Sequence, residues 1–274
     1  MKAQSIVGLV ALLGVTATVS AQNQLVVSVS DQHISVPTRL ESGYTEFVLD
    51  NQASGVYAHE IVRLKDGGDA RAVQQALPSL FSEEADEATF AMVVANTDTF
   101  LGGAVGTVPG GERSVGLTLT PGTYIIYADK ITDSGLSIDL AHTAILTVTE
   151  AADPTPEPKA NITIKMVEYA FALPANIAAG THLVRFENVG NEDHLGFVFA
   201  LPEGMSAEEA RHSDDESVDW SQAQGVHAVG AGASVYAEMT FEPGRTYLFD
   251  CPIPNDKGVS HDELGMMQFL TVVQ

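Results

Sequence analysis

Near the C-terminus the chain reads Cys251-Pro-Ile-Pro-Asn-Asp-Lys-Gly-Val-Ser-His261-Asp-Glu-Leu-Gly-Met266, and Cys251 is the sole cysteine of the 274 residues. A thiolate, an imidazole and a thioether in that order are soft or borderline donors that suit a redox-active metal such as copper. Two imidazoles, one thiolate and a weak, long thioether form a ligand set for passing single electrons. The second imidazole is expected from His194, in Asn188-Val-Gly-Asn-Glu-Asp-His194.

The rest of the chain bounds what such a centre could serve. Lys2, an apolar run from Ile6 to about Val19, and Val19-Ser20-Ala21 before Gln22 read as a signal peptide over residues 1–21, removed on export. The apolar run is shorter than the roughly 20 residues of a spanning helix, so no membrane insertion is expected after cleavage. A periplasmic or secreted location follows. One cysteine cannot form an internal disulfide there, and a metal would protect the thiol from oxidation. The bland alternative is a buried core cysteine.

The formal charge is −23, from 36 acidic and 13 basic residues. Such a chain repels nucleic acid, which is excluded as a partner. It would steer a basic redox partner protein, although solubility alone also accounts for the charge.

Pro154-Thr-Pro-Glu-Pro158 reads as a stiff linker over residues 151–159. The same features recur in the same order on either side of it. Thr45–Asn51, His59, a helical insert, Leu119-Thr-Pro-Gly-Thr-Tyr124 and Ala144–Val148 precede it. His182–Asn188, His194, an insert, Phe241-Glu-Pro-Gly-Arg-Thr-Tyr247 and Gln268–Val272 follow it. This is an internal duplication, expected as domains over 22–150 and 160–274.

The dominant period is two, as in Ile162–Tyr169 and Val235–Phe241, which predicts half-buried strands. The expected fold is all-β: two Greek-key β-sandwiches of seven or eight strands each, sharing no sheet, with short helical inserts. Asp69 should cap a helix over 70–77, residues 82–94 should form a second helix, and Ser206 and Glu209 match a capping box.

Residues 160–274 resemble the cupredoxins, the plastocyanin- and azurin-like blue copper family. The resemblance lies in the histidine after an Asn-ended strand, the Pro-Gly-x-x-Tyr strand into Cys251, and the histidine five positions before Met266. It implies one type 1 copper ion held by His194, Cys251, His261 and Met266. Nine residues separate Cys251 from His261, a longer loop than in plastocyanin-like domains, and Pro252, Pro254 and Gly258 are expected to stiffen it.

The first half resembles the same fold without a site. Aligning Tyr124 with Tyr247 sets Ala128 against Cys251 and Ile138 against His261, and the closing strands set His142 against Met266. Only His59 matches a ligand position.

The expected function is therefore single-electron transfer by an exported copper protein, with a cupredoxin-like binding or structural module as the alternative. An enzyme is not expected. Stacked copper oxidases and nitrite reductases need a second cluster built on His-x-His or His-Cys-His pairs, and the eight histidines include no such pair. His33, His182, His212 and His227 are each expected at the surface.

Overall fold

The computed structural model describes residues 23–80, 86–132, 135–203, 205, 207–210 and 221–273. The proposed signal peptide, residues 82–85 of the second expected helix, Ser206 and His212 lie outside the described residues.

From the N-terminus, the order is β1 (Asn23–Val29), β2 (Ile34–Ser35), β3 (Arg39–Glu41), β4 (Gly43–Asn51) and β5 (Val56–Leu64). Helices α1 (Ala70–Leu80) and α2 (Glu87–Asn96) precede β6 (Thr97–Phe100), β7 (Glu112–Leu119), β8 (Gly122–Thr132), β9 (Gly135–Ser137) and β10 (Thr143–Thr149). After the Pro-rich segment come β11 (Ile162–Val167), β12 (Ala170–Ala172), β13 (Gly180–Asn188) and β14 (His194–Ala200). The short α3 (Ala207–Ala210) is followed by β15 (Gln224–Val229), β16 (Ser234–Phe241), β17 (Thr246–Asp250) and β18 (Met267–Thr271).

The all-β expectation holds, and pairing repeats between the halves. In one layer β1 lies parallel to β4 and β4 antiparallel to β7, as β11 does to β13 and β13 to β16. In the other, β5–β8–β10 and β14–β17–β18 are each antiparallel. Alternation produces the core. Leu25, Val27, Val29, Phe47 and Leu49 face inward in the first half, and Ile164, Met166, Val184 and Phe186 do so in the second.

The halves do share a sheet, which corrects the expectation of two separate sandwiches. β7 pairs with β16 at Gly116–Tyr236 and Val115–Ala237, giving one eight-stranded sheet. The second layer is bridged as well. Residues 101–104 bond to β5 through Ile61 N–H to Gly102 O and His59 N–H to Ala104 O, and to β15 through His227 N–H to Gly103 O. Two sheet edges that would otherwise be open close on each other.

The Pro-rich segment is strapped across this seam instead of spacing the halves apart. Tyr44 N–H donates to Thr155 O, while Glu157 accepts from Thr118 Oγ1 at 2.8 Å and from the Tyr236 hydroxyl at 2.9 Å.

Helix α1 starts where expected, with Asp69 accepting from Arg71 and Ala72 N–H. Asp86 caps α2 by accepting from Thr89 N–H, so the second helix begins and ends later than its sequence pattern implies. Val73, Ala76, Leu77 and Val93 cover the outer face of Val62, Leu64, Ile125 and Tyr127. No helix among the described residues is long and apolar enough to cross a membrane.

Candidate metal centre

Three of the four expected donors meet at one end of β14 and β17. His194 opens β14, Cys251 directly follows β17, and His261 lies on the loop that returns to β18. His194 and Cys251 are fully buried and His261 is 1% exposed.

The loop folds back on itself to bring His261 home. Asn255 and Val259 close a turn around Gly258, whose φ of +74° suits glycine. His261 N–H donates to Ile253 O, and Met266 N–H donates to His261 O. Cys251 N–H in turn bonds to Met266 O, so the backbone ties the cysteine, the histidine and the methionine together.

His261 Nδ1 lies 3.1 Å from His194 Nδ1 and 3.6 Å from Cys251 Sγ. Among the described residues, His194, Cys251 and His261 form the one group of three or more such side chains whose donor atoms all lie within 4.8 Å of one another. Met266 is fully buried in the same core cluster as Cys251.

The protonation states suit a metal. Burial, with His261 beside it, lowers the His194 imidazole to about 4, so it is neutral at ordinary pH. Its Nε2 is buried with no hydrogen-bond partner among the described residues. Burial raises the Cys251 thiol to about 12, offset in part by the N–H groups of Leu195, 3.2 Å from Sγ, and Ile253. A cation is what would draw off that proton, since metal ligation deprotonates a thiol. Two facing imidazole nitrogens and a sulfur, buried together, are a donor set that fits copper.

The first half has a matching asparagine turn, and the residues aligned with the donors are differently placed. Asn51 Nδ2 donates to Gly55 O and Thr107 O while its Oδ1 accepts from Ala53 N–H. Asn188 repeats this with Glu192 O, Val229 O and Gly190 N–H. Ala128, fully buried, pairs with His59 in the ladder. His59 Nδ1 accepts from Ala104 N–H, whereas His142 stacks on Tyr57 at 5.3 Å and bonds Ser30 O at 2.9 Å. Ile138 sits in the core beneath the helices.

Three acidic partners escaped the sequence reading. Glu192 Oε2 lies 2.9 Å from His261 Nε2. His227, expected at the surface, is instead buried in β15 at the seam, with Nδ1 2.6 Å from Glu60 Oε2 and Nε2 3.6 Å from Asp129 Oδ2. The available signal was the continuous apolar setting of His227 in Gly225-Val-His-Ala-Val229, which suits a strand covered on both faces, and Gly225, Val226 and His227 are all buried.

No family model matches the chain, and no curated protein sequence matches it. Among solved structures, the chain is similar to a dithionite-reduced auracyanin from Roseiflexus castenholzii, with 23% identity, covering 41% of this chain and 96% of that one, at a TM-score of 0.31. It is also similar to a multicopper oxidase, with 15% identity over 92% of this chain and 88% of that one, at a TM-score of 0.24. A copper nitrite reductase from Nitrosomonas europaea aligns at 11% identity over 92% of this chain and 94% of that one, also at a TM-score of 0.24.

Proposed function

We propose that this chain is an exported, non-enzymatic carrier of single electrons that holds one type 1 copper ion. The observation that carries this reading is the buried convergence of His194 Nδ1, His261 Nδ1 and Cys251 Sγ. Copper bound there would supply a one-electron couple. Cys251 would give the thiolate, His194 and His261 the imidazoles, and Met266 a weak thioether. The residues around the site keep water out and hold the donors still. The bonded turns between Asn255 and Val259 and between His261 and Met266 support ligands that barely move when an electron arrives.

Residues 22–150 and 160–274 would be two copies of one cupredoxin-like fold, joined at 151–159, the first without a copper site. Its Ala128 and Ile138 have no donor atom. Absence of His-x-His pairs supports a carrier over an oxidase or reductase. The acidic surface supports a basic redox partner protein and no nucleic acid. Residues 1–21 would direct the chain to the periplasm or outside the cell.

The test is the visible spectrum of the full chain loaded with Cu(II), beside Cys251→Ser. The wild type should show an intense thiolate-to-copper band at one copper per chain, and the variant should lack it. Colour that survives Cys251→Ser overturns the assignment, because no other thiolate exists in the sequence.

A further inference from the structure

Glu192 is built into the site with more care than a surface acid needs. Its Oε2 meets His261 Nε2 at 2.9 Å, and its Oε1 accepts from the Tyr169 hydroxyl at 3.0 Å. The Tyr169 ring stands edge-on to the His261 ring, with centroids 5.0 Å apart. The backbone beneath is also pinned. Glu192 O accepts from Asn188 Nδ2, and Glu168, in the turn between β11 and β12, accepts from the N–H groups of both Asn191 and Glu192.

The two halves show that this carboxylate goes with the donors. Each buried asparagine donates its amide to the carbonyl four residues on. That residue is Gly55 where the thiol position holds Ala128, and Glu192 where it holds Cys251.

An acceptor at Nε2 has two consequences. It keeps the proton of His261 on Nε2, so the Nδ1 lone pair faces Cys251 and His194. It also pushes electron density onto the ring, as carboxylates behind metal-bound histidines do. A more electron-rich ligand, with a negative charge behind it, favours the more highly charged metal state.

We propose that Glu192 is a positioning residue that locks His261 as the Nε2–H tautomer and lowers the reduction potential of the bound metal. The potential part rests on the copper reading above, and the tautomer part does not.

The experiment uses the full chain as wild type, Glu192→Gln, Glu192→Leu and Tyr169→Phe. On metal-free protein, long-range ¹H–¹⁵N NMR should find His261 as a single Nε2–H tautomer in the wild type and a mixture in Glu192→Leu. On copper-loaded protein, Glu192→Gln and Glu192→Leu should each shift the Cu(II)/Cu(I) balance at least tenfold toward Cu(I), about 59 mV for a one-electron couple. Tyr169→Phe leaves the carboxylate in place and should move it less than either Glu192 variant. Glu192→Gln is nearly isosteric and serves where leucine disturbs folding. An unmoved or lowered potential in the Gln variant, or an unchanged tautomer in the Leu variant, overturns the proposal. If the wild type takes up no copper, the copper reading fails, and the NMR arm alone decides the role of Glu192.

Discussion

Asn51 and Asn188 show how much one side chain can organise in each half. Both are fully buried, and each amide satisfies two carbonyls and one N–H. Alanine at either position would leave three buried or part-buried backbone groups without their partner, and Asn51→Ala should cost about 3 kcal/mol in chemical denaturation. Asn188→Ala should cost the same and also weaken the visible band of copper-loaded protein, because the turn it closes delivers Glu192 and His194. Asn51→Ala should leave the band intact. Loss of the band in Asn51→Ala alone would place the coloured site in the wrong half. At Met266, the fourth proposed ligand, Met266→Leu should keep the colour of copper-loaded protein and raise the potential, since a weak thioether ligand tunes the couple without creating the band. Loss of colour in that variant would show a strong Met266 bond instead. His194, Cys251 and His261 were legible in the sequence because donor chemistry is carried by residue type and order. Glu192 was not: an acid three residues beyond Val189 looks like any solvated loop charge until the fold brings His261 over it.

At the scale of elements, period-two patterns specify which face of a strand is buried, and here they were sufficient. They do not specify which edge a strand finds. Nothing local in Val115-Gly116 or Tyr236-Ala237 names the other as a partner, so the shared sheet was not legible. The Pro-rich segment misled for a related reason. Prolines explain its extended shape, but the hydroxyls of Thr118 and Tyr236 that hold Glu157 come from distant strands. The second bridge across the seam depends on close backbone approach at Gly103. A Cβ there would lie 1.7 Å from His59 O and 2.6 Å from His59 C, and backbone cannot swing aside as a side chain can. Gly103→Ala should therefore cost more than about 3 kcal/mol, as forced overpacking at a rigid contact does. Gly110→Ala is the control: with φ of +74° and open space around it, it should cost about 1 kcal/mol from backbone strain alone. Equal melting temperatures for the two variants would show that the bridge through residues 101–104 yields easily.

Across the whole molecule, the seam holds charge where apolar packing would be expected. His227 of β15 lies between Glu60 of β5 and Asp129 of β8, and neither carboxylate is exposed. Tyr127 of β8 is buried on the same face as Glu60 and Asp129, and Phe197 of β14 stands beside the imidazole. Burial opposes charge on His227, but Asp129 and Glu60 outweigh it and lift the imidazole to about 10. Burial also raises Glu60, against the pull of His227. The sign of the pH dependence follows by linkage. From about 6.5, its ordinary value, to about 10, the folded chain keeps a proton on His227 that the unfolded chain has released. The stabilisation from His227 is thus complete below 6.5 and is lost as pH rises toward 10. Glu60 acts in the same direction at lower pH, because its folded value lies above its unfolded one. His59, lowered to about 3 by burial first and His227 second, acts oppositely between 3 and 6.5. Stability should therefore peak in mildly acidic solution and decline through the alkaline range, with little dependence on salt because the charges are buried. His227→Gln removes the cation and leaves two buried carboxylates facing each other, so it should cost about 3–5 kcal/mol at neutral pH. Urea midpoints of metal-free wild type and His227→Gln, taken from pH 6 to 10, test both parts together. The gap between them should be widest at pH 6 and narrow steadily as pH rises. A gap that stays constant or widens toward pH 10 would mean that His227 is neutral in the folded protein and that the seam is held by packing alone.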